Sequence, residues 1–120
     1  MQRVTGIGGF FFRSDDPEAV TAWYAEHLGV TAPPQSYDAQ VWEQEAGPTV
    51  LAPFGPEQAD TPHGPAGWGL NFRVPDLDAM VAQLREAGIE VDVAAETYPN
   101  GRFAQLQDPD GNAIQLWEPA

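Results

Sequence analysis

Residues 10–18 read FFFRSDDPE, and residues 70–78 read LNFRVPDLD. Both stretches contain a Phe-Arg pair that is followed three positions after the Arg by an Asp. A glycine closes the amphipathic segment that comes next, Gly29 in the first case and Gly88 in the second. Because these features recur in register, the sequence indicates two copies of one strand–helix–strand unit in tandem.

A helix is predicted after each Phe-Arg pair. Asp16 is a good N-cap residue and Pro17 suits the first helical position, so the first helix should begin here. Apolar residues then recur at three- and four-residue steps as far as Leu28. The second helix should begin in the same way after Asp76 and keep one apolar face to Leu84.

Short extended segments flank both helices. In the first copy, strands are predicted over residues 4–12, 33–37, 40–46 and 49–54. In the second copy, they are predicted over residues 70–74, 90–94, 102–107 and 113–117. Residues 108–112 (DPDGN) are of the types that favour a tight turn, so the last two strands should form a hairpin. Each copy is therefore predicted to be a βαβββ module.

The predicted fold class is α+β, with one domain over residues 1–120. Module 1 covers residues 1–54, a Pro- and Gly-rich linker covers 55–66, and module 2 covers 67–120. With 42% hydrophobic residues, a chain of this length can bury a core.

The composition excludes several classes of function. Eighteen acidic and five basic residues give a formal net charge of −13, which repels nucleic-acid phosphates and anionic lipid surfaces. We therefore expect no nucleic-acid partner and no membrane partner. The absence of cysteine removes disulfides and thiolate sites. No signal-peptide pattern or membrane-length apolar run is visible, so a cytoplasmic location is expected.

Side-chain alternation along the strands separates a core face from an opposite face. The opposite face is predicted to carry aromatic rings and neutral amides, which favours a pocket for a small organic molecule. A partly buried dimer seam is the alternative. The candidate ligand-binding residues are Phe11, Trp42, Asn71, Gln105, Gln107, Gln115 and Trp117.

The order of the elements and three stretches of sequence resemble the vicinal oxygen chelate superfamily, which includes glyoxalase I, bleomycin-resistance proteins and extradiol dioxygenases. The stretches are residues 16–29, residues 71–76 and residues 108–119. The resemblance implies two tandem βαβββ modules whose sheets curl into a half-barrel around a cleft. It also implies a homodimer, because a second subunit usually completes or stabilises that architecture.

Metal-bearing members of that superfamily hold one divalent ion on side chains from four strands. By register with the flanking Asp residues, two of these positions fall here on Gly9 and Gly69, which have no side chain. The resemblance leaves only the Thr49 hydroxyl and the neutral amide of Gln115 for the other two. A Thr hydroxyl is a poor ligand for such an ion, so one weak ligand out of four remains, and this does not hold a catalytic divalent cation. We therefore expect neither a metal ion nor another cofactor.

The remaining charged residues have structural interpretations. His27 falls at the end of the first helix and His63 in the linker, so they do not form a metal-binding pair. Arg13 and Arg73 are each interpreted as the partner of the Asp that follows, with anion binding as the alternative.

Three hypotheses remain open at this point. The first is a metal-independent, glyoxalase/bleomycin-resistance-like protein that binds a small organic ligand. The second is a metal-dependent enzyme of the glyoxalase type, a lyase, isomerase or epimerase, and the sequence leaves open whether any reaction is catalysed. The third is a non-catalytic dimeric interaction domain whose cleft is filled by its partner.

Overall fold

A computed structural model of the protein describes residues 1–56 and 66–120. Most of the predicted linker, with His63, lies outside these ranges. The elements in chain order are helix α1 (Pro17–Leu28), strand β1 (Leu70–Arg73), helix α2 (Leu77–Glu86), and strands β2 (Asp92–Val93), β3 (Gly101–Gln107) and β4 (Ala113–Pro119). In the described ranges, neither helix has the length and apolar character that a bilayer crossing requires.

Helix α1 begins and ends at the predicted residues. The Asp16 side chain accepts a hydrogen bond from the Ala19 backbone N–H at 3.2 Å, and Pro17 occupies the first turn. Gly29 follows the last residue with a positive φ of 72°, and its N–H donates to the Tyr24 carbonyl. The start and stop signals read from the sequence are therefore confirmed.

Helix α2 has two acidic groups at its start. Asp76 is the N-cap and accepts from the Ala79 N–H at 3.0 Å. The Glu118 carboxylate, from the end of β4, accepts from the Leu77 N–H at 2.8 Å. Both negative groups face the positive end of the helix dipole, and Glu118 also connects the helix to strand β4.

The four strands form one mixed sheet in the order β1-β4-β3-β2. Strand β1 is parallel to β4, whereas β3 is antiparallel to both β4 and β2. The predicted hairpin between β3 and β4 is confirmed. The second half of the chain is thus a complete β-α-β-β-β unit, although β2 is shorter than the predicted 90–94.

The core lies on one face of this sheet, where both helices cover it. Its fully buried side chains are Leu77 and Leu84 from α2 and Ile114 and Leu116 from β4. Other members are Val20, Tyr24, Val74, Val81, Val91, Ala104 and Leu106, with Phe12, Trp23 and Phe72 packed against them. The sheet face opposite the core is called the outer face below.

The strands predicted in the first half are not formed. Residues 1–14 and 31–56 contain no strand, and the four-stranded sheet is not closed into a half-barrel. The prediction of strands over 4–12, 33–37, 40–46 and 49–54 was therefore wrong for this chain taken alone. A strand needs a neighbouring strand for its backbone N–H and C=O groups, and in the described chain no other strand runs beside these segments. Most of their side chains are exposed.

Candidate functional site

The outer face carries one continuous row of polar side chains across the whole sheet. Asn71 of β1 is the register partner of Gln115 of β4, Gln115 is the partner of Gln105 of β3, and Gln105 is the partner of Asp92 of β2. Directly opposite residues point to the same face, so these four side chains lie side by side. They are called the polar row below. Asn71 Nδ2 donates a hydrogen bond to Gln115 Oε1 at 2.7 Å.

Two aromatic rings lie next to the polar row, on the same face. Phe103 of β3 and Trp117 of β4 are register partners, and their rings are stacked with an interplanar angle of 2° and centroids 6.2 Å apart. The Trp117 indole N–H donates to the carbonyl of Asn100 at 2.8 Å, which fixes the ring. Phe103 and Trp117 are called the aromatic pair below.

Gly101 makes room for the aromatic pair. Its φ is 134°, and a Cβ atom at this position would lie 2.8 Å from Trp117 Nε1 and closer still to the carbonyl oxygen of Glu118. No larger residue fits this backbone without displacing strand β4. The glycine therefore allows the close approach that holds the Trp117 ring in place.

Arg73 fastens the first half of the chain to the edge of the sheet. Its guanidinium donates to the carbonyls of Glu45 and Pro48, both at 2.6 Å, and to Thr49 Oγ1 at 3.1 Å. The predicted ion pair between Arg73 and Asp76 was wrong, because the Asp76 carboxylate caps α2 instead. Backbone carbonyls converge on the guanidinium, since a planar fork of donors can bond several acceptors at once.

Arg13 does not repeat this arrangement. Among the described residues, the ion pairs are His27 with Glu26 and Arg102 with Asp78, so the predicted pair of Arg13 with Asp16 was also wrong. The Asp16 carboxylate caps α1, as Asp76 caps α2. In both copies, the acid that follows the Phe-Arg pair serves the helix start.

Five of the seven predicted ligand-binding residues lie on the outer face of the sheet. Asn71, Gln105 and Gln115 belong to the polar row, Trp117 belongs to the aromatic pair, and Gln107 lies two residues further along β3 on the same face. Phe103 and Asp92 were not among the candidates, although alternation along their strands places both on this face.

Phe11 and Trp42 lie apart from these residues. Phe11 is 93% exposed and its ring lies against Gly9. The Trp42 ring contacts Phe72, which packs on the core side, at 6.4 Å between centroids. The structure therefore does not bring either ring to the polar row, and their role in binding stays a prediction.

A buried carboxylate connects helix α1 to the end of the sheet. Asp108 is 5% exposed and accepts from the Tyr24 hydroxyl at 2.7 Å. It also accepts from the Asp110 N–H, the Asn112 N–H and Asn112 Nδ2, at 2.8 to 2.9 Å. Burial, followed by the hydrogen bond to Asp108 and the nearby negative charges, raises the pKa of the Tyr24 hydroxyl well above its usual value.

A cavity of about 580 Å³ opens between the start of α1 and this turn. Its lining residues are Phe12, Arg13, Ser14, Asp15, Pro17, Asp110 and Asn112. None of them belongs to the polar row or the aromatic pair. The cavity is therefore separate from the outer face.

The sequence matches the family model of the glyoxalase/bleomycin resistance protein/dioxygenase superfamily over residues 6–116. The chain belongs to this superfamily. Its structure is similar to the crystal structure of TnmS3, an antibiotic binding protein from Streptomyces sp. CB03234, with a TM-score of 0.68, 29% identity and coverage of 100% of both chains. The lactoylglutathione lyase of Agrobacterium tumefaciens shares the fold, with a TM-score of 0.61 at 18% identity and coverage of 98% and 96% of the two chains.

Among curated proteins of the superfamily, CFP32 of Mycobacterium tuberculosis, a candidate glyoxylase by name, is 30% identical over 115 residues. That match covers 89% of this chain and 41% of CFP32. The chain spans about half or less of the length of the curated relatives it matches.

Metal-bearing members of the superfamily hold a divalent ion, but the residues at the corresponding positions here do not fit one. Gly9 and Gly69 have no side chains, and Thr49 Oγ1 lies 3.1 Å from a positively charged guanidinium nitrogen. Gln115 Oε1 already accepts from Asn71. Within residues 1–56 and 66–120, no group of three or more His, Asp or Glu side chains is placed to hold a metal ion.

Proposed function

We propose that this chain binds a small organic ligand on the outer face of its sheet, and that it does so without a divalent metal ion. The observation that carries the proposal is the juxtaposition of the polar row with the aromatic pair on one face. Aromatic rings offer stacking area, and neutral amides orient a ligand by hydrogen bonds at low desolvation cost.

The comparisons support a ligand-binding role of this kind. TnmS3 is an antibiotic binding protein that matches over its full length, so an antibiotic-like molecule is a reasonable candidate class of ligand. The net charge of −13 attracts cationic ligands and repels anionic ones over long range. We therefore propose a neutral or cationic ligand and a cytoplasmic site of action.

Tryptophan fluorescence tests this proposal. A panel of aromatic amides and basic antibiotics is titrated into the wild type, into Trp117→Phe and into the control Trp23→Phe, which changes a ring on α1. We expect a saturable change in the wild type and in Trp23→Phe that is reduced in Trp117→Phe. No response to any member of the panel, or a response that depends on Trp23 alone, would refute binding at the outer face.

Metal independence has its own test, which separates the ligand-binding protein from a metal-dependent lyase or isomerase. The protein is purified without chelators and its metal content is measured by mass spectrometry. We expect far less than one divalent ion per chain, because two of the four ligand positions have no side chain and the other two offer only a hydroxyl and a neutral amide. One Ni, Zn, Mn or Fe per chain would favour the enzyme.

We further propose that the chain works as a homodimer. The first half exposes large apolar side chains, among them Val4 at 92%, Val50 at 75% and Leu51 at 89%, in extended segments without strand partners. Burying such surface stabilises association. Light scattering should give twice the chain mass of 13.0 kDa. A monomer at all concentrations would contradict the proposal, and a dimer that covers the outer face would favour the non-catalytic interaction domain.

A further inference from the structure

The polar row has a fixed direction of hydrogen bonding. The bond from Asn71 Nδ2 to Gln115 Oε1 determines the orientation of both amides. It leaves Asn71 Oδ1 as an acceptor and Gln115 Nε2 as a donor, on neighbouring strands. Within the described part of the chain, neither atom has another partner. The row therefore presents one acceptor and one donor side by side, which match the N–H and C=O groups of a single amide.

The other end of the polar row is negatively charged. Asp92 lies on β2, the edge strand opposite β1, and its side chain is exposed. It is in neither of the ion pairs formed by the described residues. Because adjacent strands are about 4.8 Å apart, Asp92 lies two strands, or roughly 10 Å, from Gln115.

Charge is distributed unevenly across the outer face. Arg73 is the register partner of Trp117 and brings a positive charge to the β1 edge, whereas Asp92 brings a negative charge to the β2 edge. A cationic group on a bound ligand is repelled by Arg73 and attracted by Asp92. The two charges therefore define one orientation of a ligand that carries a cation at one end.

From this geometry we propose that the polar row selects ligands with a carboxamide or lactam at one end and a cationic amine roughly 10 Å away. The amide C=O accepts from Gln115 Nε2 and the amide N–H donates to Asn71 Oδ1. The amine lies against Asp92, and the ring between them lies over Gln105 beside the aromatic pair. This inference rests on the proposed function and specifies the chemistry of its ligand.

The test uses three probes and isothermal titration calorimetry. The first is 6-(aminomethyl)naphthalene-2-carboxamide, which has the amide and the amine at opposite ends of a rigid ring system. The second is its N-acetylated form, which lacks the charge, and the third replaces the carboxamide with a methyl ketone. We expect acetylation to weaken binding roughly two- to five-fold, as for an exposed ion pair. The ketone should bind roughly three- to ten-fold more weakly because it cannot donate.

Two variants assign these differences to residues. Asp92→Asn should remove the preference for the free amine, whereas Glu86→Gln, which removes the same charge from α2 on the other side of the sheet, should retain it. Asn71→Ala removes the acceptor of the ligand's amide N–H, so the preference of the carboxamide over the ketone should disappear.

The outcomes separate this inference from the proposed function. Equal affinities of the three probes for the wild type would overturn the inference, even if the Asp92→Asn protein could not be obtained. If the three probes bind equally and Trp117→Phe weakens their binding, the inference fails but the proposed function stands. If no probe binds, the inference is overturned, and the fluorescence panel then decides the proposed function separately.

Discussion

The buried bond between Tyr24 and Asp108 offers a direct test of how the first helix is attached to the sheet. Tyr24→Phe removes only the hydroxyl that donates to Asp108 at 2.7 Å. A hydrogen bond to a charged group contributes about 1.5–3 kcal/mol, and the Asp108 carboxylate keeps three other donors, so we expect a loss of about 1.5 kcal/mol. Asp108→Asn should cost more, about 2–3 kcal/mol, because an amide nitrogen cannot accept from the donors that face it.

Urea denaturation measures both losses, and Tyr37→Phe is the matched control because the Tyr37 ring is fully exposed. The control should change the free energy of unfolding by less than about 0.5 kcal/mol. In the double variant, Tyr24→Phe should add little to Asp108→Asn, since both remove the same bond. If Tyr24→Phe proves as neutral as Tyr37→Phe, the bond does not hold α1 to the sheet.

The same pair predicts a dependence on alkaline pH. The pKa of Tyr24 is raised in the folded state, mainly by burial, whereas in the unfolded chain it has its ordinary value of about 10. The unfolded state therefore loses this proton first, and stability falls as the pH rises above about 10. The stability that Tyr24 supplies is fully present below that pH. Tyr24→Phe should have a shallower loss of stability above pH 10, and an unchanged slope would contradict the assignment.

Three further predictions concern the sheet and its edges. Gly101→Ala should destabilise the protein by more than about 2 kcal/mol in urea denaturation, because its positive φ and the adjacent β4 backbone leave no room for Cβ. Glu118→Gln should cost about 0.5–1 kcal/mol in the same assay, since α2 loses a negative charge at its N-terminus. Arg73→Met should speed proteolytic cleavage at residues 45–49, which it fastens, whereas the control Arg3→Met should not, and equal cleavage would contradict the fastening.

The second half of the chain could be predicted because its signals are local. An N-cap at Asp76, a positive-φ glycine at residue 88 and turn chemistry over residues 108–112 all act within a few residues of their own position. Alternation along β3 and β4 then fixed which side chains face the core. Each of these effects is decided by the nearest neighbours in sequence, so the pattern sufficed.

The strands of the first half could not be predicted in this way. Alternation indicates which residues suit a strand, but a strand forms only where another strand supplies its hydrogen-bond partners. Residues 4–12 and 40–53 have no neighbouring strand within the described chain. Most of their apolar side chains remain exposed, which is why a second copy was proposed as the partner.

Part of the candidate site could be predicted from the local alternation of side chains. Alternation alone assigned Asn71, Gln105 and Gln115 to one face, and the register of the sheet brought them into one row. The contacts of Arg73 had no signal in the sequence, because the backbone carbonyls that it bonds occur in every residue. The position of Asp92 on the outer face could have been predicted, because it stands between Val91 and Val93, which both face the core.

The central claim is that a small organic ligand binds on the outer face, and nuclear magnetic resonance tests it most directly. In ¹H–¹⁵N spectra, the side-chain amides of Asn71 and Gln115 and the indole N–H of Trp117 each give their own signal. Titration with 6-(aminomethyl)naphthalene-2-carboxamide should shift these three signals together, with one dissociation constant, and leave the indole signal of Trp23 unchanged. Shifts confined to α1 or to residues 1–56, or none at millimolar ligand, would contradict the account.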